Sequence, residues 1–458
     1  MDLEQEQGNK KKWMLIILGI VLLIVVALFA LLRFGGNSSI TKKIGDVLPF
    51  GENTIDGIRE TITGDNSITN STELAGDGKE PMFRQLTKEP TAGATAVVRD
   101  GKVYARYVLR ENGHVHEVDA KTGVDTQLTN SLVPKVYEAF FGNLGNMVVL
   151  RFLGRDAISQ QDVIKTYLAT IDAPKKIDTS IGSTTDTVGS LRGEYHKDNI
   201  SAVSISPDGS NMFEMLPIPE GVSGTIISLT TNLLPKEIFR NSFSEWAPQL
   251  RNDGSVLLTT KPSANVPGFS YAYSPTNKLL ARIIREKNGL TTFESPNKQY
   301  IAYSENISDV PYFSIKGADL PGIADDRRTV PLTTIPEKCA WGVRILYCAS
   351  FSKVGRVQIP DDWYQGTMAF KDTFWGINPD NKDITFIADP QKEIQKDFDV
   401  RAAFVDQGEQ YFFFIDKNDD TLWALRIPKT TIVESGVDTL DPTLSPEEQK
   451  DAAGTLAQ

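Results

Sequence analysis

The sequence predicts an all-β fold, a seven-bladed β-propeller, placed behind a single transmembrane helix. Three observations predict it. An uninterrupted apolar stretch runs from Trp13 to Leu32. From residue 82 onward, short β-rich runs alternate with turn sequences at a recurring interval. A strand-like segment, FRQLT at Phe83 to Thr87, stands alone before the first full repeat.

The apolar stretch has 20 residues and no charged side chain. At ~1.5 Å per residue it makes a helix roughly 30 Å long, the thickness of a bilayer's hydrocarbon core. A buried core helix is seldom apolar on every face. A cleaved signal peptide has an apolar region of only ~7–15 residues before a small-x-small site. Ala27 and Ala30 are three apart and do not fit that spacing, and no cysteine directly follows the span to mark a lipoprotein. The expectation is an uncleaved signal-anchor over 13–34. Lys10, Lys11 and Lys12 crowd its start, while Arg33, Lys42 and Lys43 are spread beyond it. The positive-inside rule then leaves tail 1–12 in the cytoplasm and everything after the span outside it.

Residues 35–81 are rich in Gly, Asn, Ser, Thr and Asp and read as a flexible linker. Residues 429–458 read as a polar tail. The net charge is −11, and the N-terminal tail is balanced, so the acidic excess lies beyond the span. That excess argues against nucleic acid and against docking on anionic lipid. Its simplest role is solubility. Hydrophobic residues make up 40% of the chain, enough for a sizeable core.

The repeating unit is clearest at the start. Thr95 to Arg99, the Asp100-Gly101 turn, Val103 to Leu109, His114 to Val118 and Asp125 to Thr129 form a four-stranded meander. Comparable units start near residues 137, 200, 246, 290, 339 and 400. Most intervals fall near the ~40–50 residues of a propeller blade. The two longer ones imply insertions around 172–198 and 351–397. Seven units result, with six or eight as the neighbouring counts. The seventh has three clear strands, ending with Leu422 to Ile427, and FRQLT supplies the fourth. The propeller is therefore expected to span 82–428.

Two turn motifs carry a resemblance. SPDG at Ser206 to Gly209, and DAKTG followed by TQLT across Asp119 to Thr129, are similar to the TolB-type, WD-repeat-like propeller repeats. SPNK at Ser295 to Lys298 is a degenerate copy. The resemblance implies a propeller and a protein-binding role. Its motifs are hairpin chemistry, so it brings no catalytic residues.

Cys339 and Cys348 are the two cysteines. Outside the cytoplasm an even count suggests a disulfide. If Val343 and Arg344 form a two-residue turn, Cys339 faces Cys348 across one hairpin, within bridging reach. Two buried free thiols are the alternative. A zinc site would need more ligands than two thiols.

Other candidate chemistry reads as structure. His114 and His116 share a strand face, but only one other histidine exists, so a solvated face is preferred to a metal site. DKNDD at Asp416 to Asp420 is rich in oxygen ligands but lacks the glycine and terminal glutamate of a calcium loop, and it reads as a turn. DAKTG lacks the tryptophan of quinone-enzyme propeller repeats. No nucleophile elbow, phosphate loop or dinucleotide fingerprint is present. No metal and no cofactor is expected. The most distinctive segment is Phe351 to Lys371, containing IPDDWYQG. Asp361, Asp362, Trp363 and Tyr364 combine charge with large aromatics and are the candidate binding residues. The competing reading is that Trp363 and Tyr364 pin this loop to its own blade. The functional expectation is a non-catalytic module binding a protein or cell-envelope component. Its alternative is a hydrolase or lyase acting on glycan or peptide through carboxylates in the propeller channel.

Overall fold

Strands separated by tight polar turns pair with their sequence neighbours, and here they do so in groups of four. The computed structural model describes residues 80–176, 186–187, 189–231, 234–317, 328–352, 357–381 and 383–428. Within these residues seven four-stranded antiparallel sheets follow one another along the chain. Their first strands are Thr91–Arg99, Val136–Gly142, Ala202–Ile205, Trp246–Leu250, Thr291–Glu294, Cys339–Trp341 and Val400–Val405. Successive blades pack against one another through these strands, the turns leading into them or, from blade 4 to blade 5, the second strand Val256–Thr260, and Val400–Val405 returns to Thr91–Arg99. The sheets therefore close into a ring of seven blades, each running from the inner strand outward.

The closure is the one the unpaired FRQLT segment predicts. Phe83–Gln85 forms the outer strand of blade 7, with Phe83 opposite Leu425 and Gln85 opposite Trp423. Leu86 N–H continues the pairing to Leu422 O at 2.8 Å, and Leu422 N–H donates to Thr87 Oγ1 at 2.9 Å. Phe83 is buried between blades against Phe374 and Phe398. A ring closed by its own first strand exposes no inner gap between its ends.

The blade turns use one recurring device. In SPDG, Ser206 Oγ accepts from Asn211 N–H at 3.0 Å, and Gly209 takes a left-handed φ of +69°. In SPNK, Ser295 Oγ accepts from Tyr300 N–H at 2.9 Å, and Lys298 takes φ +59°. In blade 7 Asp406 accepts from Gln410 and Tyr411 N–H, and Glu409 takes φ +50°. A side-chain oxygen at the turn's start thus replaces a missing backbone acceptor.

The cysteine hairpin has the expected register. Trp341 faces Leu346, and Cys339 faces Cys348, to which it is disulfide-bonded with Cα atoms 4.1 Å apart.

Two expectations need correction. The segment 172–198 is not simply an insertion, because it contains the outer strand of blade 2, Ser190–Tyr195. That strand is mostly exposed and has no apolar alternation to announce it. Likewise 351–397 contains both outer strands of blade 6, Asp372–Ile377 and Ile384–Ala388. The inserted part is 352–371. Among the described residues no helix is long and apolar enough to cross a membrane. The stretch Trp13 to Leu32, the linker up to residue 79 and the tail 429–458 lie outside the described residues.

Candidate functional site at the channel mouth

Because strands alternate direction, the second-to-third strand loops and the blade-to-blade connections share one face of the ring. The 352–371 insertion is a second-to-third strand loop of blade 6, so it rises on that face. It is held at both ends of its reach. Asn306 of blade 5 directs its side-chain amide at Val357 O and Ile359 O. Ser263 Oγ and Ala264 N–H of blade 4 donate to Asp361 Oδ2 at 3.0 and 3.1 Å. The loop thus straps across the rims of blades 6, 5 and 4. At Gly289 a Cβ would come within 2.6 Å of Ile359 O, and φ is +62°, so only glycine suits this crossing.

The four residues singled out from the sequence sit on a short helix, Asp361–Tyr364. The structure separates their roles. Asp361 binds blade 4. Asp362 accepts from Gln358 N–H at 2.9 Å and so shapes its own loop. Trp363 is only 4% exposed and donates from Nε1 to both carboxylate oxygens of Asp399, at 2.9 and 3.1 Å. It is the pin of the competing reading, with its face turned inward. Tyr364 is 46% exposed, and its hydroxyl donates to Glu337 Oε1 at the channel mouth.

Beneath Trp363 lies a charge cluster that sequence reasoning missed. Lys338 is fully buried and donates to Asp372 Oδ2 at 2.7 Å and Asp399 Oδ1 at 2.5 Å. Its ammonium also faces the rings of Phe351, Trp363 and Phe370 within 5.9 Å. Lys417 donates to Trp363 O at 2.6 Å and lies over the same indole. Burial pushes the Asp372 carboxyl up to about 6, even though Lys338 pulls it down. Burial also raises Asp416, against the backbone hydrogen bonds it accepts. A lysine and aspartates scattered over 338–417 give no spacing signal, so only folding brings them together.

Glu337 and Lys338 are consecutive but diverge. Both sit on a single 3₁₀ turn, Pro336–Lys338, leading into the inner strand of blade 6. Lys338 enters the blade 6–blade 7 core, and Glu337 lines the channel. The channel cavity there has a volume of about 310 Å³ and is bounded by blades 4, 5, 6 and 7, with Tyr364 at its rim. Its walls are mostly small, apolar or hydroxyl-bearing, and among the described residues Glu337 carries the one carboxyl in the lining. The wall's polar groups bond one another: Thr259 Oγ1 lies 2.6 Å from Thr292 Oγ1, and Gln249 Nε2 donates to Thr292 O at 2.5 Å. Glu337 Oε2 is buried without a hydrogen-bond partner. Burial raises its carboxyl, against the pull of Tyr364, Thr291 and Lys338.

His114 and His116 lie on a partly exposed strand face and are hydrogen-bonded there. His116 stacks on Tyr107 at 5.4 Å, and its Nδ1 lies 2.8 Å from Asp125 Oδ2. His114 contacts Gln127 at 3.1 Å, and His196 pairs with Glu214 in blade 3 at 2.7 Å. Among the described residues no group of three His, Cys, Asp or Glu is arranged to hold a metal. DKNDD forms a turn, and its Asp420 ties blade 7 to blade 1 through Arg401 and Arg110.

The fold and its channel make this chain an all-β, seven-bladed β-propeller. No protein-family model matches the sequence, and no curated protein matches it. Solved propellers are similar to it in structure. TolB from Acinetobacter baumannii is 12% identical, with 60% of this chain covering 59% of that one at a TM-score of 0.37. The oligogalacturonate lyase of Vibrio parahaemolyticus is 9% identical over 76% of this chain and 94% of that one, at 0.46. The Cps50 (Swd1) propeller domain of Myceliophteria thermophila is 7% identical over 76% and 100%, at 0.46. The blade count rests on the strand order alone.

Proposed function

We propose that this protein is a membrane-anchored, extracytoplasmic propeller that binds a protein or cell-envelope component at the channel mouth, without catalysis. One observation carries the reading: among the described residues, the channel cavity beneath Tyr364 has a single carboxyl in an otherwise small and neutral lining. Glycan hydrolysis through carboxylates needs two such groups flanking one bond, about 5–9.5 Å apart. The lining supplies one. A strap held across three blades instead offers a preorganised surface, whose ordering cost was met on folding. The anchor rests on the apolar stretch Trp13 to Leu32 and on Lys10 to Lys12.

The test is site-specific photocrosslinking in intact membranes. A photoreactive residue at Tyr364 should give a discrete adduct. One at Leu144, exposed in a first-to-second strand turn on the opposite face, should not. No adduct from Tyr364, or equal adducts from both sites, overturns the assignment. The topology is tested separately by adding protease to intact cells or spheroplasts. The region after residue 35 should be degraded, and full protection before permeabilisation would remove the extracytoplasmic placement.

A further inference from the structure

We infer that a second cleft, over blade 1, binds a neutral oligosaccharide. It is separate from the channel mouth and does not rest on the reading above.

The cleft has a volume of about 830 Å³, within the range of small-ligand sites. It takes its lining from the loops and connections of the face that carries the strap. Arg110, Glu111 and Asn112 belong to the second-to-third strand loop of blade 1, and Asp420 to that of blade 7. Glu89 lies in the connection entering blade 1, and Lys135 in the one entering blade 2.

One set of lining groups is fixed by mutual bonds. Asp125 accepts from the Tyr107 hydroxyl at 3.0 Å, and its other oxygen lies 2.8 Å from His116 Nδ1. The carboxylate partner keeps the proton on Nδ1, so Nε2 of the neutral ring is an acceptor. The imidazole is also stacked on Tyr107, which is buried. Arg110 pairs with Asp420, which Arg401 holds from a second side at 2.6 Å. These groups are ordered before a ligand arrives, which lowers the cost of binding. A second set is open. Glu89, Glu111 and Lys135 are exposed, and none has an ion pair or side-chain hydrogen bond among the described residues.

The lining selects the ligand by its mixture of signs. Among the described residues, four carboxyl groups, on Glu89, Glu111, Asp125 and Asp420, stand against the two cations Arg110 and Lys135. That excess disfavours an anionic ligand, and the interspersed cations break the acidic track that a polycation would need. Apolar side chains are few, Pro90, Leu109 and Val136, too little to bury the anchor of a protein partner. Sugar hydroxyls both donate and accept, so one neutral chain can serve carboxylates, cations and the Asn112 amide together. The half-buried ring of Tyr137 adds an aromatic surface for the C–H face of a sugar ring.

The experiment uses the full-length protein in a detergent without a sugar headgroup. It is titrated calorimetrically with maltotetraose, cellotetraose and chitotetraose. Tetragalacturonate serves as the anionic arm and acetyl-tetralysine amide as the peptide arm. At least one neutral tetrasaccharide should bind saturably, with both charged arms at least tenfold weaker. The double variant Glu89→Ala with Lys135→Ala removes exposed groups and should keep the fold. It should weaken the preferred sugar at least tenfold. His116→Phe, which keeps a ring on Tyr107 but removes both nitrogens, should do the same. Absence of binding by all three neutral sugars, a charged arm that binds as well as they do, or undiminished binding to the double variant overturns the inference. The Tyr364 crosslink reports on the channel mouth alone, so either reading can fail while the other stands.

Discussion

Phe83 pairs with Leu425 at the outer edge of blade 7, so the ring is closed by a strand from the opposite end of the chain. Without Phe83–Gln85, the apolar strand Leu422–Arg426 becomes a free edge. Phe83 also fills a site against Phe374 and Phe398, whose loss leaves a cavity costing about 3–5 kcal/mol. Deleting residues 82–90 should therefore lower the melting temperature and promote aggregation. Deleting 35–75 should do neither. Light scattering and circular dichroism decide it, and matching behaviour of the two deletions contradicts the closure.

Lys338→Met should destabilise strongly, by about 3–5 kcal/mol, because it strands two buried carboxylates, Asp372 and Asp399. The loss should depend on pH. The folded Asp372 carboxyl titrates near 6, above its unfolded value near 3.9, so the folded state binds more protons between these limits. In the native protein this group's contribution is greatest below pH 4 and falls as pH rises to about 6. Removing the cation extends that fall to higher pH. The penalty of Lys338→Met should thus be larger at pH 8 than at pH 5. Urea denaturation at the two values measures it, and an equal penalty at both refutes the ion-cluster account.

At His196 and Glu214 the mutational penalty has the opposite dependence on pH, on a smaller scale. The hydrogen bond to Glu214 raises the His196 imidazolium, against a lesser lowering by burial. A raised histidine stabilises fully below its unfolded value near 6.5, and the contribution disappears as pH climbs through the folded value. His196→Gln should cost roughly 1 kcal/mol at pH 6 and progressively less toward pH 9. A melting-temperature difference that stays constant from pH 6 to 9 would be inconsistent with this pairing.

The Cys339–Cys348 bridge encloses a short hairpin, so its benefit should be modest, roughly 2–3 kcal/mol at most. Denatured, unreduced protein should take up no thiol label. Cys339→Ser with Cys348→Ser should still fold, with a lower melting temperature. Two labelled thiols in the unreduced protein remove the bridge.

The blade pattern, the closing strand and the cysteine register were all legible in the linear chain. The blade pattern and the cysteine register depend on local chemistry: period-two apolar residues, turns with a side-chain acceptor such as Ser206 or Ser295, and a two-residue reversal that sets Cys339 opposite Cys348. Such interactions join residues a few positions apart, so spacing reports them. The closing strand pairs across the whole propeller and was legible by count instead, a spare strand before the first blade and a last blade one strand short. Ser190–Tyr195 escaped because an exposed outer strand needs no apolar alternation. Tertiary structure alone decided the roles within Asp361–Tyr364, turning Trp363 inward and leaving Tyr364 at the channel. It alone sent Lys338 into the core and Glu337 into the cavity, although they are neighbours on one turn. The physical reason is that a charge is assigned its task by what surrounds it in space. For Lys338 those surroundings come from Asp372 and Asp399, positions that no sequence period connects.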